Sequence, residues 1–266
     1  MKTKYLFLAV IFAVAFSGLV SAQDLINAVK TGNINKVREL LPYPNIDERD
    51  EENYYTAYLW AADKGYPEIA ELLLKNGAEP NALATNVPFK NLGGGLLIWA
   101  GDIMGAKSAA VLAQEKGHDD LIDFFLSKGN IDYDLRAAVM CNNPVVAEKA
   151  LKLGADPDFM VNMVGRRITV SAAEIALKTG FDDILNILLE YDADITLAYA
   201  NSFVYDDADK YEQVWEKLLE KGAELNPEYE DDNYDKMTLL RFAQDKAKYE
   251  GREKLDFLIN HGVRSE

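Results

Sequence analysis

The sequence predicts an all-α protein, a solenoid of about seven helix pairs with one expanded loop at 82–107. Three observations carry this prediction. Small turn-forming residues recur at a constant interval, the segments between them place apolar side chains at helical spacing, and self-similar stretches follow one another along the chain. A lone pair of short helices cannot bury both of its faces, but stacked pairs can.

Turn-forming residues mark the two ends of the second helix in each pair. Glycine fits the first of these positions because a helix ends there in a left-handed conformation, which asparagine also tolerates. Between the turns, Ile69, Leu72 and Leu73 fall at i, i+3 and i+4, which is one stripe of a helix. The twelve-residue intervals are Gly65 to Gly77, Gly117 to Gly129, Asn142 to Gly154, and Gly180 to Asp192.

The self-similar stretches 57–81, 109–132 and 172–195 resemble the ankyrin repeat. Its familiar core runs T-P-L-H-x-A-A-x-x-G-H-x-x-I-V-x-x-L-L-x-x-G-A-D, with a period of about 33 residues. The resemblance extends over the chain after residue 22, and it implies stacked helix pairs that bind another protein. Its units are a first pair at Asp24 to Leu41, four pairs ending at Gly77, Gly129, Gly154 and Asp192, and two weaker pairs ending at Gly222 and Gly262.

Two departures from the family pattern are visible. The proline and the histidine of T-P-L-H are missing from all three stretches, so the hydrogen bonds that tie neighbouring pairs together are in doubt. The distance in sequence between the residues that end successive pairs also varies. This variation predicts a missing hairpin loop between 129 and 154 and an expanded one between 77 and 129. In place of T-P-L-H the chain has Thr56-Ala57-Tyr58-Leu59, Ser108-Ala109-Ala110-Val111 and Ser171-Ala172-Ala173-Glu174.

The first 22 residues have the pattern of a secretory signal peptide. Lys2 and Lys4 precede an apolar stretch, and Val20-Ser21-Ala22 supplies a small-x-small cleavage site. We therefore expect residues 23–266 to form an exported repeat domain, periplasmic or secreted, with no membrane insertion after cleavage. The alternative, an uncleaved membrane anchor, is disfavoured because the apolar stretch is short for a span.

The charge of the chain excludes some classes of binding partner, and its cysteine content excludes an intrachain disulfide. The chain carries 44 Asp and Glu against 28 Lys and Arg, a formal net charge of −16, so nucleic acid and anionic membrane surfaces are not expected partners. A protein partner with a basic or neutral surface fits better, unless the acidity only serves solubility. Cys141 is the single cysteine, so no intrachain disulfide can form, and we expect its side chain to pack as a small apolar group. We expect the protein to be a monomer.

The sequence contains few motifs for catalysis, nucleotide binding or metal binding. The run from Gly101 to Ser108 resembles a phosphate-binding loop, but Ala106 replaces its second glycine, and Ser108 takes the threonine position of a repeat. His118 and His261 both lie in turn positions with structural explanations. Zinc and serine-hydrolase motifs do not occur, and the acids at 230–235 lack the spacing of a calcium loop. We expect no enzyme activity, no cofactor and no metal.

The expected contact surface lies at the loop tips and on the concave face of the repeats. Tyrosine among acids is typical of a recognition surface, and this describes the tips 47–55 and 227–236. The expanded loop at 82–107 is apolar, so it either packs against its own chain or binds a partner. The candidate partner-binding residues are Tyr54, Tyr55, Phe89, Trp99, Tyr133, Tyr229 and Tyr234.

These features predict a non-enzymatic protein–protein interaction module. The alternative is an inhibitor or immunity-type protein that neutralises a basic enzyme by covering its active site. A third possibility, a nucleotide binder built on the expanded loop, requires stabilisation by ATP with magnesium.

Overall fold

The computed structural model describes residues 21–84, 106–163, 168–205, 208–230, 236–249 and 251–264. These residues form fourteen α-helices, which follow one another as seven helix pairs, so the predicted helical-repeat architecture is confirmed. The helices are α1 (Ala22–Lys30), α2 (Ile34–Leu40), α3 (Ala57–Lys64), α4 (Pro67–Lys75), α5 (Ala109–Glu115), α6 (Ile122–Leu126), α7 (Ile131–Met140), α8 (Pro144–Lys152), α9 (Ala172–Thr179), α10 (Asp182–Glu190), α11 (Ile195–Tyr205), α12 (Ala208–Glu220), α13 (Leu239–Lys246) and α14 (Glu253–Asn260).

Short antiparallel strands interrupt the helices, which the all-α prediction did not include. Strand β1 (Met160–Met163) pairs with β2 (Ile168–Ser171), and β3 (Glu228–Glu230) pairs with β4 (Lys236–Thr238). A single bridge joins Ala84 to Lys107 at the base of the expanded loop. Each pairing stands directly before the first helix of a pair, so these strands are the hairpin loops of the repeats.

The helices pack as two compact units that divide between Cys141 and Asn142. In the first unit, α1 contacts α3, α3 contacts α5, and α5 contacts α7, so first helices stack on first helices. The second unit repeats this arrangement through α9, α11 and α13. Small side chains permit the close approach: Ala57, Ala61 and Ala110, for example, are almost completely buried.

A hydroxyl side chain caps the first helix of five pairs. Each capping hydroxyl accepts a hydrogen bond from the backbone N–H three residues later, at 3.2–3.4 Å, and the five are Ser21, Thr56, Ser108, Ser171 and Thr238. This bond satisfies a donor that the helix itself leaves unpaired. Three of them, Thr56, Ser108 and Ser171, occupy the first position of the T-P-L-H pattern, where the sequence analysis places them.

Of the eight predicted turn positions, all except Gly129 adopt a left-handed conformation. Gly65 ends α3 at φ 69°, and the two non-glycine positions of the pattern, Asn142 and Asp192, adopt φ 52° and 64°. Asparagine and aspartate tolerate this region better than other side chains with a Cβ atom. The missing hairpin loop is also confirmed, because only residues 127–130 separate α6 from α7.

Side-chain oxygens tie neighbouring pairs together in place of the missing histidine. Asp47 accepts a hydrogen bond from the Glu79 backbone N–H at 2.9 Å, and Asn81 accepts one from Asn130 at 2.6 Å. In the second unit, Asp158 accepts from the Asp194 N–H at 2.6 Å. A loop carboxylate or amide therefore binds the next pair's backbone and fixes the position of the loops.

Candidate partner-binding surface

The acidic tip 47–55 is a rigid loop that folds around one buried carboxylate. Asp50 is only 4 % exposed and accepts hydrogen bonds from the backbone N–H groups of Asn53 and Tyr55, at 3.0 and 3.2 Å. Its other oxygen accepts the indole N–H of Trp60 at 2.7 Å and lies 3.1 Å from the Lys30 ammonium. The loop conformation is therefore fixed by α1 and α3.

The protonation of Asp50 follows from these contacts. Burial acts to raise the pKa of this carboxyl, but the hydrogen bonds from Asn53, Lys30, Trp60 and Tyr55 outweigh burial and lower it. Asp50 is consequently ionised at neutral pH and compensates the charge of Lys30. A buried charge with this many donors holds its neighbours in one geometry.

Trp60 forms the platform beneath the tip. The ammonium groups of Lys30 and Lys64 lie 4.1 and 5.1 Å from its ring centroid, within the range of a cation–π interaction. The Tyr55 ring packs on it in a tilted arrangement, with centroids 5.1 Å apart. Trp60 is only 8 % exposed, so it supports the surface rather than forming much of it.

Arg49 connects the tip to the following loop. Its guanidinium donates to the backbone oxygens of Tyr54 and Leu83, at 2.6 and 2.8 Å. Tyr54 itself sits in the left-handed region at φ 56°, which is strained for a residue with a Cβ atom. The structure thus places Tyr54 and Tyr55 side by side on a loop that is anchored on both flanks.

A second charged group continues this surface across the next pair. The buried Asp63 carboxylate lies 3.0 Å from the Lys64 ammonium and 3.4 Å from that of Lys116. The His118 Nε2 atom lies 3.2 Å from the Asp63 backbone oxygen, and its ring covers Gly65, where a Cβ atom would come within 2.7 Å of it. His118 therefore has the structural role that the sequence predicts.

Lys107 and Ser108 have roles unlike those of a phosphate-binding loop. The Lys107 ammonium pairs with Glu115 at 2.5 Å, and its backbone pairs with Ala84. Ser108 caps α5 and also hydrogen-bonds to Asp134, a buried carboxyl of α7. Burial raises the pKa of Asp134 to about 6, although the Ser108 contact acts to lower it.

The other predicted tip, 227–236, is the β3–β4 hairpin. Tyr229 is partly buried there and packs edge-on against Phe242 of α13, with ring centroids 5.9 Å apart. Tyr133 lies on α7 and is 46 % exposed, so its side chain is available for contact. Three predicted residues, Phe89, Trp99 and Tyr234, lie outside the described residues, as does most of the expanded loop.

The remaining candidates for chemistry have structural partners. The His261 ring stacks on Phe257 at 4.2 Å, and its Nδ1 atom lies 2.8 Å from the Phe257 oxygen. Cys141 is partly buried, and its S–H donates to the Ala106 oxygen at 3.4 Å. No three metal-binding side chains come together in the described part of the chain, and none of its helices is long and apolar enough to span a membrane.

Sequence reasoning missed the supporting residues Lys30, Asp50 and Trp60. The role of Trp60 could have been predicted, because it follows the T-P-L-H position in a helix whose other residues are mostly small or apolar. An indole N–H in such a place requires an acceptor. Lys30 carries no such signal, because its contact with Asp50 spans twenty residues and depends on how α1 stacks on α3.

Comparison with known families agrees with this architecture. Residues 22–84 match the family described as ankyrin repeats (3 copies), so this part of the chain carries ankyrin repeats, and the predicted family resemblance is confirmed there. Ankyrin repeats are in general protein–protein interaction modules. The matched segment contains α1 to α4 and the whole tip 47–55. No curated protein matches the chain.

Proposed function

We propose that this chain is an exported, non-enzymatic module that binds a protein partner through the tips of its loops and the face formed by its first helices. One observation carries the proposal: Asp50 and Arg49 anchor the tip 47–55, so that Tyr54 and Tyr55 are held in place before a partner arrives. Binding then costs little conformational entropy, and tyrosine contributes a large contact area with few rotatable bonds.

The charge of the tip supports a basic or neutral partner surface. Asp47, Glu48, Glu51 and Glu52 are exposed around the two tyrosines, and the chain as a whole has a formal charge of −16. A basic patch would be steered towards this surface, whereas an acidic one would be repelled. Export rests on the sequence of residues 1–22, and a monomer is the form that we expect.

Binding can either assemble or inactivate the partner. An inhibitor or immunity-type role requires that the partner be a basic enzyme and that its activity fall when the two proteins are mixed in equal amounts. A scaffolding role leaves the partner's activity unchanged. A measurement of partner activity therefore separates the two roles once the partner has been captured.

The test compares two single tyrosine variants. The mature protein, immobilised, is expected to capture a protein from the envelope fraction of its own cells, and Tyr54→Ala is expected to weaken this capture at least tenfold. Tyr249→Ala is the matched control, because Tyr249 is 87 % exposed and lies outside the predicted surface. If both variants capture as well as the parent protein, the tip is not the binding surface.

A further inference from the structure

A polar cleft of about 800 Å³ lies on the last helix pair, within the second unit. Its wall is formed by the start of α13, by the turn after this helix and by the end of the described chain. Leu240 and Val263 supply half-buried apolar surface to this wall. Three cationic side chains line the same cleft, namely Arg241, Lys248 and Arg264.

The side chains that line this cleft carry more positive than negative charge. Arg241, Lys248 and Arg264 are cationic and Asp245 is acidic, whereas the whole chain carries 44 acids against 28 bases. A basic cleft in an acidic protein creates a local potential of the opposite sign. The cleft can therefore attract an anionic ligand.

Two of the three cations are available to a ligand. Lys248 pairs with Asp245 at 2.7 Å, whereas Arg241 and Arg264 are exposed and form no ion pair with the residues that the structure describes. A guanidinium group binds a carboxylate through two parallel hydrogen bonds. Among the described residues, Arg241 and Arg264 thus have no ion-pair partner, although Arg241 lies close enough to Asp245 to lower the pKa of that carboxyl. The two guanidinium groups lie on separate parts of the chain.

The start of α13 does not itself attract the ligand, because its backbone donors are already used. The N–H of Leu240 donates to Asn226 at 2.8 Å, and the N–H of Arg241 donates to the Thr238 hydroxyl at 3.4 Å. Recognition in this cleft is left to the two arginine side chains and to the apolar wall beside them.

We propose that this cleft binds an extended acidic peptide segment of a partner protein. Arg241 and Arg264 each bind one carboxylate of the segment, and Leu240 with Val263 contacts an apolar part of it. Two arginines on separate elements fit carboxylates that are spaced along a chain better than they fit one compact anion. This surface is opposite in charge to the tip 47–55, so the protein can bind a basic and an acidic partner region at different sites.

Ionic strength determines at which salt concentrations this binding can be measured. At about 0.1 M salt the Debye length is about 10 Å, which screens distant acids but leaves contacts within the cleft effective. At about 1 M it falls to about 3 Å, and the ion pairs of the cleft weaken as well. Binding is therefore expected at the lower salt concentration and is expected to be lost at the higher one.

The experiment uses the full mature chain and a fluorescent peptide of alternating glutamate and leucine. The parent protein is expected to bind the peptide saturably, and the double variant R241E/R264E is expected to lose at least tenfold in affinity. R38E/K75E is the matched control, with the same change in net charge on exposed residues of the first unit. Asp245→Asn is expected to strengthen binding at least twofold, because it removes the acid that repels the peptide.

Three outcomes would overturn the proposal. The first is equal peptide affinity for R241E/R264E and R38E/K75E, which would show that only net charge matters. The second is displacement of the peptide by inorganic phosphate with equal affinity, which would identify a general anion site. The third is salt-sensitive self-association without peptide that R241E/R264E abolishes, which would identify a second copy of the chain as the occupant.

Discussion

The pKa values of two buried carboxyls, Asp50 and Asp134, are shifted in opposite directions, although burial acts to raise both. Asp50 receives hydrogen bonds from Trp60, from two backbone N–H groups and from Lys30, which together lower its pKa. Among the described residues, the Asp134 carboxyl has a hydrogen bond from the Ser108 hydroxyl alone, and burial raises its pKa to about 6. The number of donors around each carboxyl decides the direction of the shift. Asp50 stabilises the fold in its charged form, whereas the charged form of Asp134 destabilises it.

The surroundings of Asp134 add to this cost. The Tyr58 side chain is 1 % exposed, and its hydroxyl has no hydrogen-bond partner among the described residues. Burial, and after it the charge of Asp134, raises the pKa of this hydroxyl. The Ser108 hydroxyl is hydrogen-bonded to Asp134, whereas the Tyr58 hydroxyl is buried nearby without a partner, and these surroundings fit a protonated Asp134 carboxyl better than an ionised one.

Asp134→Asn is predicted to stabilise the protein above pH 6 and to have little effect at pH 4. The pKa of Asp134 is about 6 in the folded state against 3.8 for the ordinary group, so ionisation costs stability as pH rises through this interval. The rise of this pKa from 3.8 to about 6 corresponds to a loss of roughly 3 kcal/mol in unfolding free energy at most. Urea unfolding of both proteins from pH 4 to pH 8 measures it. A constant difference across this range would contradict the prediction.

Each element of the repeat combines a local signal with contacts that are distant in sequence. A left-handed turn and the start of a helix pair are local features, and the sequence predicts them correctly at Gly65 and Ser108. The hydrogen bonds between pairs, such as that from Glu79 to Asp47, join residues 32 to 49 positions apart. They connect neighbouring pairs in a chain that lacks the histidine of T-P-L-H, and no local pattern indicates them.

The candidate site shows the same limit of sequence reasoning. Tyr54 and Tyr55 are found from composition, because tyrosine among acids is visible in a short window. Their support depends on how a loop folds back on two helices, since the Asp50 carboxylate contacts Trp60 and Lys30. The strands β1 to β4 escape prediction for a similar reason. Three- and four-residue segments gain their structure from pairing rather than from intrinsic propensity.

Deletion of the expanded loop is predicted to leave the repeat fold intact. Ala84 and Lys107 exchange two backbone hydrogen bonds, at 2.8 and 2.9 Å, so the loop leaves and returns at one point. Such a pair can be closed by a two-residue Asn-Gly turn in place of 85–106. Helical circular dichroism per residue and the melting temperature are expected to change little.

Capture of a partner by this deletion variant then shows whether the loop belongs to the contact surface or to the core. Unchanged stability with lost capture would make Phe89 and Trp99 part of the contact surface. Loss of several kcal/mol in unfolding free energy would show instead that the loop belongs to the core.

Charge is distributed unevenly over the whole molecule. Acids surround the tip 47–55 and dominate the composition, whereas the segment 236–264 is basic. Many of the ion pairs in the described part of the chain join neighbours within one helix or turn, such as Lys36 with Glu39 and Arg252 with Asp256, and exposed pairs of this kind contribute little to stability. The net charge of −16 therefore acts mainly as repulsion within the folded chain.

Added salt is accordingly predicted to stabilise this protein. Screening between about 0.01 and 0.3 M weakens repulsion among distant acids more than it weakens the close, partly buried pair of Lys30 with Asp50. The melting temperature is expected to rise by several degrees over this interval. A variant in which the exposed acids of the second unit, Glu190, Glu212, Glu216 and Glu220, are changed to glutamine is expected to melt higher at low salt and to respond less. An equal salt response in both proteins would assign the effect to salting-out rather than to charge, because salting-out depends on buried apolar surface, which the glutamine variant leaves unchanged.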